Sequence, residues 1–174
     1  PSTLLMAQAF PRSRFHGYDI YGHRVGGDGT LVGGAADTLI REHEPGTDQG
    51  SDEKFPDVAW NSVANTYLVV WQDMEDGAGR GWDIYGRKVL ADGTLPSPEV
   101  RICGPAATTS DQWPAVAYDK GKSRFLVVWM NDRDPMERGW DIYARHVGGG
   151  GLPSGKEVRV SAKGAVGNEV TPDV

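Results

Sequence analysis

Three aspartates recur at one place in a repeated phrase. Asp19 stands in GYDIYG, Asp83 in GWDIYG and Asp141 in GWDIYA. An aromatic residue precedes each: Tyr18, Trp82 and Trp140. Arg80 and Arg138 stand two residues before the tryptophans, and His16 takes that place in the first copy. A flat ring beside a carboxylate suits a sugar, because apolar ring faces stack and hydroxyls bond the carboxylate. These eight residues, from Tyr18 to Asp141, are the candidate ligand-binding set. Each also has a structural use. An Asp at a strand start accepts loop amides or meets an Arg from a neighbouring strand. Arg87 and Arg145, four residues on, are too distant to pair with it along one strand. Trp prefers partial burial between sheets, and an adjacent Arg can support its ring. A residue repeated in every unit ordinarily serves the fold.

Two acidic segments offer a second chemistry. One holds Asp73, Glu75 and Asp76, and the other Asn131, Asp132 and Asp134. Clustered oxygen ligands suit calcium, a hard cation. Neither segment matches an EF-hand loop, and a solvated loop explains the charges equally. No other cofactor is indicated, and calcium is the one candidate ion.

Catalytic motifs are missing. His16, His23, His43 and His146 show no H-E-x-x-H spacing, and no Gly-x-Ser-x-Gly elbow occurs. VGGDG at 25–29 and VGGGG at 147–151 fall in hairpin turns, not before a helix, so they do not cradle phosphate. Carboxylates are plentiful, but no pair is set apart by its surroundings. Cys103 is the only cysteine and forms no internal disulfide. It reads as a small buried residue.

The elements that position these residues repeat. FPDVAW at 55–60 matches WPAVAY at 113–118, and TPDV stands at 171–174. Pro56, Pro114 and Pro172 are spaced by 58 residues. YLVVW and FLVVW, then RGWDIYGRKV and RGWDIYARHV, then EVRI and EVRV keep the same spacing. An upstream copy carries GYDIYGHRV and DGTL with a 64-residue offset, and LLMAQ at 4–8 aligns with LVVWQ at 68–72. The units are therefore 1–54, lacking its first strand, then 55–112, 113–170 and the start of another at 171–174. They form one repeat domain.

Each unit reads as four strands. PDVAW opens on a proline, which suits a strand's first residue. YLVVWQD is a continuous apolar run, as in a strand covered on both faces. WDIYGRKV and EVRI follow, with a D-G hairpin signal between them. Leu39-Ile40 aligns with a fourth strand. Stacked four-stranded antiparallel sheets are the plan of β-propeller blades, about three in this chain. An array of β-sandwiches is the alternative. A closed ring needs four or more blades, so the chain belongs to a partial ring, a larger chain or a homo-oligomer closed by copies.

Composition narrows the partners. The net charge is −6, with acidic and basic residues interspersed, which disfavours nucleic acid. No apolar run approaches a membrane span, so no membrane insertion is expected. The pattern P-x-V-A … L-V-V-W … W-D-I-Y-G-R … D-G-T-L … E-V-R-I resembles propeller-type repeats of large secreted or surface-attached bacterial proteins, often beside adhesion or hydrolase modules. That resemblance implies an extracellular or cell-surface setting and carries no catalytic residues over. The expectation is a non-catalytic recognition or scaffold module, not an enzyme, binding glycan or another extracellular ligand through lectin-like repeated sites. One alternative is a propeller hydrolase or lyase with one asymmetric site, where His16, His43 and Cys103 would matter most. The other is a purely structural assembly unit.

Overall fold

The computed structural model describes residues 3–11, 17–33, 37–41, 52–74, 81–104, 109–134, 139–161 and 172–174. These residues form eleven strands and no helix. The first sheet holds β1 (Thr3–Pro11), β2 (Tyr18–Gly26) and β3 (Thr38–Arg41), in that order. The second holds β4 (Glu53–Asn61), β5 (Thr66–Asp73), β6 (Asp83–Leu90) and β7 (Val100–Arg101). The third holds β8 (Asp111–Asp119), β9 (Arg124–Asp134), β10 (Gly139–Gly148) and β11 (Pro153–Arg159). Neighbouring strands pair antiparallel throughout.

The apolar run TYLVVWQD is β5, and every residue of it is buried. Its two faces serve two neighbours. Tyr67, Val69 and Trp71 pack on Leu5, Ile20 and Ile40 of the first sheet. Leu68 and Val70, with Ile84 and Ile102, pack on Val116, Phe125, Val127 and Trp129 of the third. Burying each such side chain contributes about 1.5–3 kcal/mol. The two four-stranded sheets meet chiefly along β4 and β8, and contact thins toward the outer strands. Sheets that converge along one edge are blades around a hub, which excludes the sandwich array.

Pairing corrects one alignment. Leu4 faces Val25 and Tyr67 faces Val89, at equivalent places in β2 and β6. LLMAQ at 4–8 therefore corresponds to YLVVW at 67–71, one residue from the alignment read from sequence. A one-residue slip exchanges the faces of a strand. Leu5 thus lies in the core at 5% exposure, while Leu4 and Met6 are 54% and 58% exposed.

The repeated arginines tie blades together. Arg87 donates to Ser97 O (2.9 Å) in its own blade and to Ile40 O (2.6 Å) in the preceding one. Arg145 repeats this with Gly155 O (3.0 Å) and Ile102 O (2.8 Å). Further bonds cross between the second and third blades. Asp57 Oδ2 accepts the Val116 amide at 2.7 Å, and Gln72 Oε1 accepts the Trp113 amide at 3.0 Å. Packing within a blade is equally tight. A Cβ on Gly86 would stand 2.7 Å from Ile102 Cδ1. The third blade has Ala144 at that place and the smaller Val160 where Ile102 stands.

Candidate functional site at the hub end of the blades

β4 begins where β5 ends and β6 begins, because Glu53 faces Asp73 and Asp73 faces Asp83. β8, β9 and β10 repeat this arrangement, so the repeated aspartates and aromatics gather at one end of the blades. Asp19, Asp83 and Asp141 are all buried there. For the last two, the fourth strand supplies the partner. Arg101 Nη2 donates to Asp83 Oδ1 at 2.5 Å, and Arg159 Nη2 to Asp141 Oδ1 at 2.5 Å. These two aspartates therefore hold the third strand to the fourth.

A further position varies between blades. Cys103 Sγ accepts the Ile84 amide (3.3 Å) and donates to Asp83 Oδ1 (3.4 Å). Ser161 Oγ accepts the Ile142 amide (3.3 Å) and donates to Asp141 Oδ1 (3.0 Å). In the first blade this position is Arg41, while Leu39 stands where the others have Arg101 and Arg159. The arginine has moved two residues along one face of the strand. From there Arg41 reaches Glu99 (3.0 Å), Asp73 (3.5 Å) and Glu53 (3.9 Å).

Asp83, Cys103 and Asp111 bring three ligand-type atoms within 4.8 Å of one another. Their surroundings suit a hydrogen-bonded network better than a metal. Arg101 already places a cation there, donating to Asp83 and, through Nε, to Cys103 Sγ at 3.4 Å. Burial, then the negative charge of Asp111, pushes the thiol far above its usual range, despite the Arg101 hydrogen bond. A metal needs the thiolate. Asp111 Oδ1 in turn accepts Trp129 Nε1 and Asn131 Nδ2, each at 2.5 Å.

The network makes a prediction. Cys103→Ser reproduces the third blade's arrangement and changes stability by less than about 1 kcal/mol. Cys103→Val strips partners from the Ile84 amide and Asp83 and costs about 1–3 kcal/mol. Urea unfolding of both variants measures the difference, and equal stability would show that the thiol's bonds contribute nothing.

The aromatics divide into two groups. Lys54 Nζ lies 4.8 Å from the Tyr18 ring centroid and 5.6 Å from that of Trp82. Asp52 Oδ2 holds the ammonium at 2.7 Å. Among the described residues, the cation over these rings is a lysine. Trp140 is half-buried at the matching place. The second group is Phe55 and Trp113, whose rings stack at 3.9 Å between centroids and 26° between planes. They remain 42% and 37% exposed. Both sit at bulges in the first strands, where pairing shifts between Lys54 and Asp57 and between Gln112 and Ala115. Pro56 and Pro114 thus lie inside these bulges, and the strands open three residues earlier at Glu53 and Asp111. Phe55 has φ 51° and Trp113 φ 55°, the left-handed region that bulky residues avoid. Two such residues cost about 1–2 kcal/mol each, whereas an aromatic stack contributes about 0.5–1.5 kcal/mol. Stacking and the partial burial of both rings together offset this strain.

The remaining candidates are placed as follows. Asp73 is buried at the end of β5, where its Oδ2 accepts Trp71 Nε1 at 3.3 Å, and Asn131 is buried within β9. Asp132 Oδ1 accepts the Ser110 amide at 2.6 Å. Arg80, Arg138, Glu75, Asp76, His16 and His43 lie outside the described residues, as does the Asp134 side chain. Sequence reading missed Lys54, Phe55, Trp113, Arg101 and Arg159 as site residues. The recurring aromatic-proline step was a visible signal for two of them.

No family model and no curated protein matches the chain. Solved structures do. An α-L-arabinofuranosidase of Fusarium graminearum in complex with an iminosugar inhibitor aligns with TM-score 0.63 and 14% identity, over 91% of this chain and 45% of that one. An α-L-arabinanase of Penicillium chrysogenum complexed with arabinobiose aligns at 0.61 and 16% identity, over 90% and 44%. An N-acetylgalactosamine deacetylase of F. plautii in complex with blood group B trisaccharide aligns at 0.55 and 13% identity, over 91% and 52%. The chain spans about half the length of these structures, and at such identity the likeness is one of fold.

These neighbours overturn the expectation of a non-catalytic recognition or scaffold module, and with it the expectation that the protein is not an enzyme. Blades of this kind carry carbohydrate-active enzymes. The expectation rested on missing motifs. A glycosidase needs two carboxyl groups flanking the scissile bond, and these can come from separate blades without leaving a contiguous signature. Among the described residues, no helix is long and apolar enough to cross a membrane.

Proposed function

We propose that this chain forms blades of a carbohydrate-active enzyme, a glycoside hydrolase whose site opens at the hub end and takes arabinose-containing glycans. The observation that carries this reading is the blade stack it shares with an arabinofuranosidase and an arabinanase. The hub end supports it chemically, with exposed aromatic rings, a lysine and partly buried carboxylates of Asp52 and Asp132 in one region. Asp83 and Asp141, tied to arginines, hold the third and fourth strands together. The reaction adds water across a glycosidic bond, with one carboxyl group protonating the leaving oxygen.

Further blades belong to this proposal, from a longer chain or a second copy. Leu4 and Met6 are exposed on the face that Tyr67 and Val69 bury in the next blade. Val160 is 60% exposed where its counterpart Ile102 is fully buried. An extracellular setting fits a polysaccharide substrate.

The test incubates the protein, with the further blades that complete its ring present, with arabinan, arabino-oligosaccharides and aryl arabinofuranosides, with calcium and again with chelator. Release of arabinose or arabinobiose is expected. No release from any of the three overturns the reading. Loss of release in chelator alone would assign calcium to the acidic loops.

A further inference from the structure

We propose that Phe55 and Trp113 form a sugar-binding subsite that spans the second and third blades and stacks on the apolar face of an arabinosyl residue. The inference rests on the carbohydrate-active reading and assigns residues to it. Stacking covers one face of each ring, yet the side chains still expose 42% and 37%. Large exposed aromatics held rigidly are what a sugar's C–H face requires, since they present area at little entropic cost.

The backbone holds them in place. Trp113 N–H is anchored by Gln72 Oε1 (3.0 Å), and Gln72 is itself buried. Asp57 Oδ2 grips the Val116 amide just beyond the second bulge, at 2.7 Å. Both rings leave the chain from left-handed residues, a strained state that persists where the surroundings enforce it and that clusters at ligand clamps. The same geometry occurs in both complete blades, so it is not an accident of one turn. Each ring comes from the first strand of its blade, and these strands lie side by side at the hub. A chain of sugars entering the hub end therefore meets this platform.

The test labels the six tryptophans with nitrogen-15 and follows their indole signals. Trp113→Asn identifies the Trp113 signal by its loss, and asparagine tolerates the left-handed backbone. Adding arabinobiose should move that signal saturably. In Phe55→Asn the affinity should fall about tenfold, roughly the loss of one interface anchor, with circular dichroism unchanged. Phe55→Gly, which also fits the backbone, serves if the asparagine variant misfolds. A stationary Trp113 signal, or an affinity unaltered by loss of Phe55, overturns the subsite. The outcomes separate from those of the enzymatic reading. Hydrolysis with a stationary Trp113 signal removes only the subsite. A moving signal without hydrolysis keeps the subsite and removes the enzyme.

Discussion

Trp129→Ala should cost about 4–5 kcal/mol, the largest loss of any single truncation described here. Trp129 is fully buried between the second and third blades. Its ring fills space among Leu68, Val70, Ile84, Ile102 and Val116. Removing it takes away the transfer free energy of the indole and leaves a cavity that β-strands on both sides cannot close. The indole N–H also donates to Asp111 Oδ1 at 2.5 Å. A carboxylate at 0% exposure then loses a donor, a further cost of about 1–3 kcal/mol if nothing replaces it. A domain holds about 5–15 kcal/mol in total, so the variant approaches the edge of folding. Thermal and urea unfolding measure the loss, and the melting temperature should fall by roughly 10–20 °C. Trp129→Phe separates the two contributions, because it keeps most of the volume and deletes the N–H. A loss below about 2 kcal/mol for Trp129→Ala would mean that the blade junction repacks.

How far could these contacts be foreseen? The blades were legible because each strand carries its own signal. YLVVW and FLVVW, apolar on both faces, read as strands covered twice; YLVVW is covered by both neighbouring blades, while FLVVW meets the second blade through Phe125, Val127 and Trp129 only. Leu39-Ile40, aligned with the fourth strands of the other units, forms β3. The register of β1 was not legible. LLMAQ is apolar at nearly every position, and such a run cannot show which face is inside. Its pairing with β2 decides the matter, through a partner outside the segment. The repeated aspartates stood in the sequence as ligand candidates, with pairing to a neighbouring-strand arginine as their structural use. That Arg101 and Arg159 are those arginines depends on pairing across β6–β7 and β10–β11. The exposed pair Phe55 and Trp113 stayed hidden for a different reason. Aromatic-proline at a strand start reads as core, and only a bulge with left-handed backbone turns both rings outward.

The ion pair between β6 and β7 gives the second large effect. Arg101→Met should destabilise the protein by about 3–5 kcal/mol, because it leaves Asp83 charged inside the blade. Asp83→Asn should cost less, about 2–3 kcal/mol. The difference follows from exposure. The Asp83 side chain is 9% exposed and that of Arg101 is 27%, so a lone guanidinium finds water more readily than a lone carboxylate. Combining Arg101→Met with Asp83→Leu should recover most of the loss, since no buried charge then remains. Urea unfolding of the two single variants and of the double variant measures all three losses. A double variant no more stable than Arg101→Met would show that the uncompensated Asp83 charge is not what destabilises it, and that β7 is held by its packing through Ile102 rather than by charge.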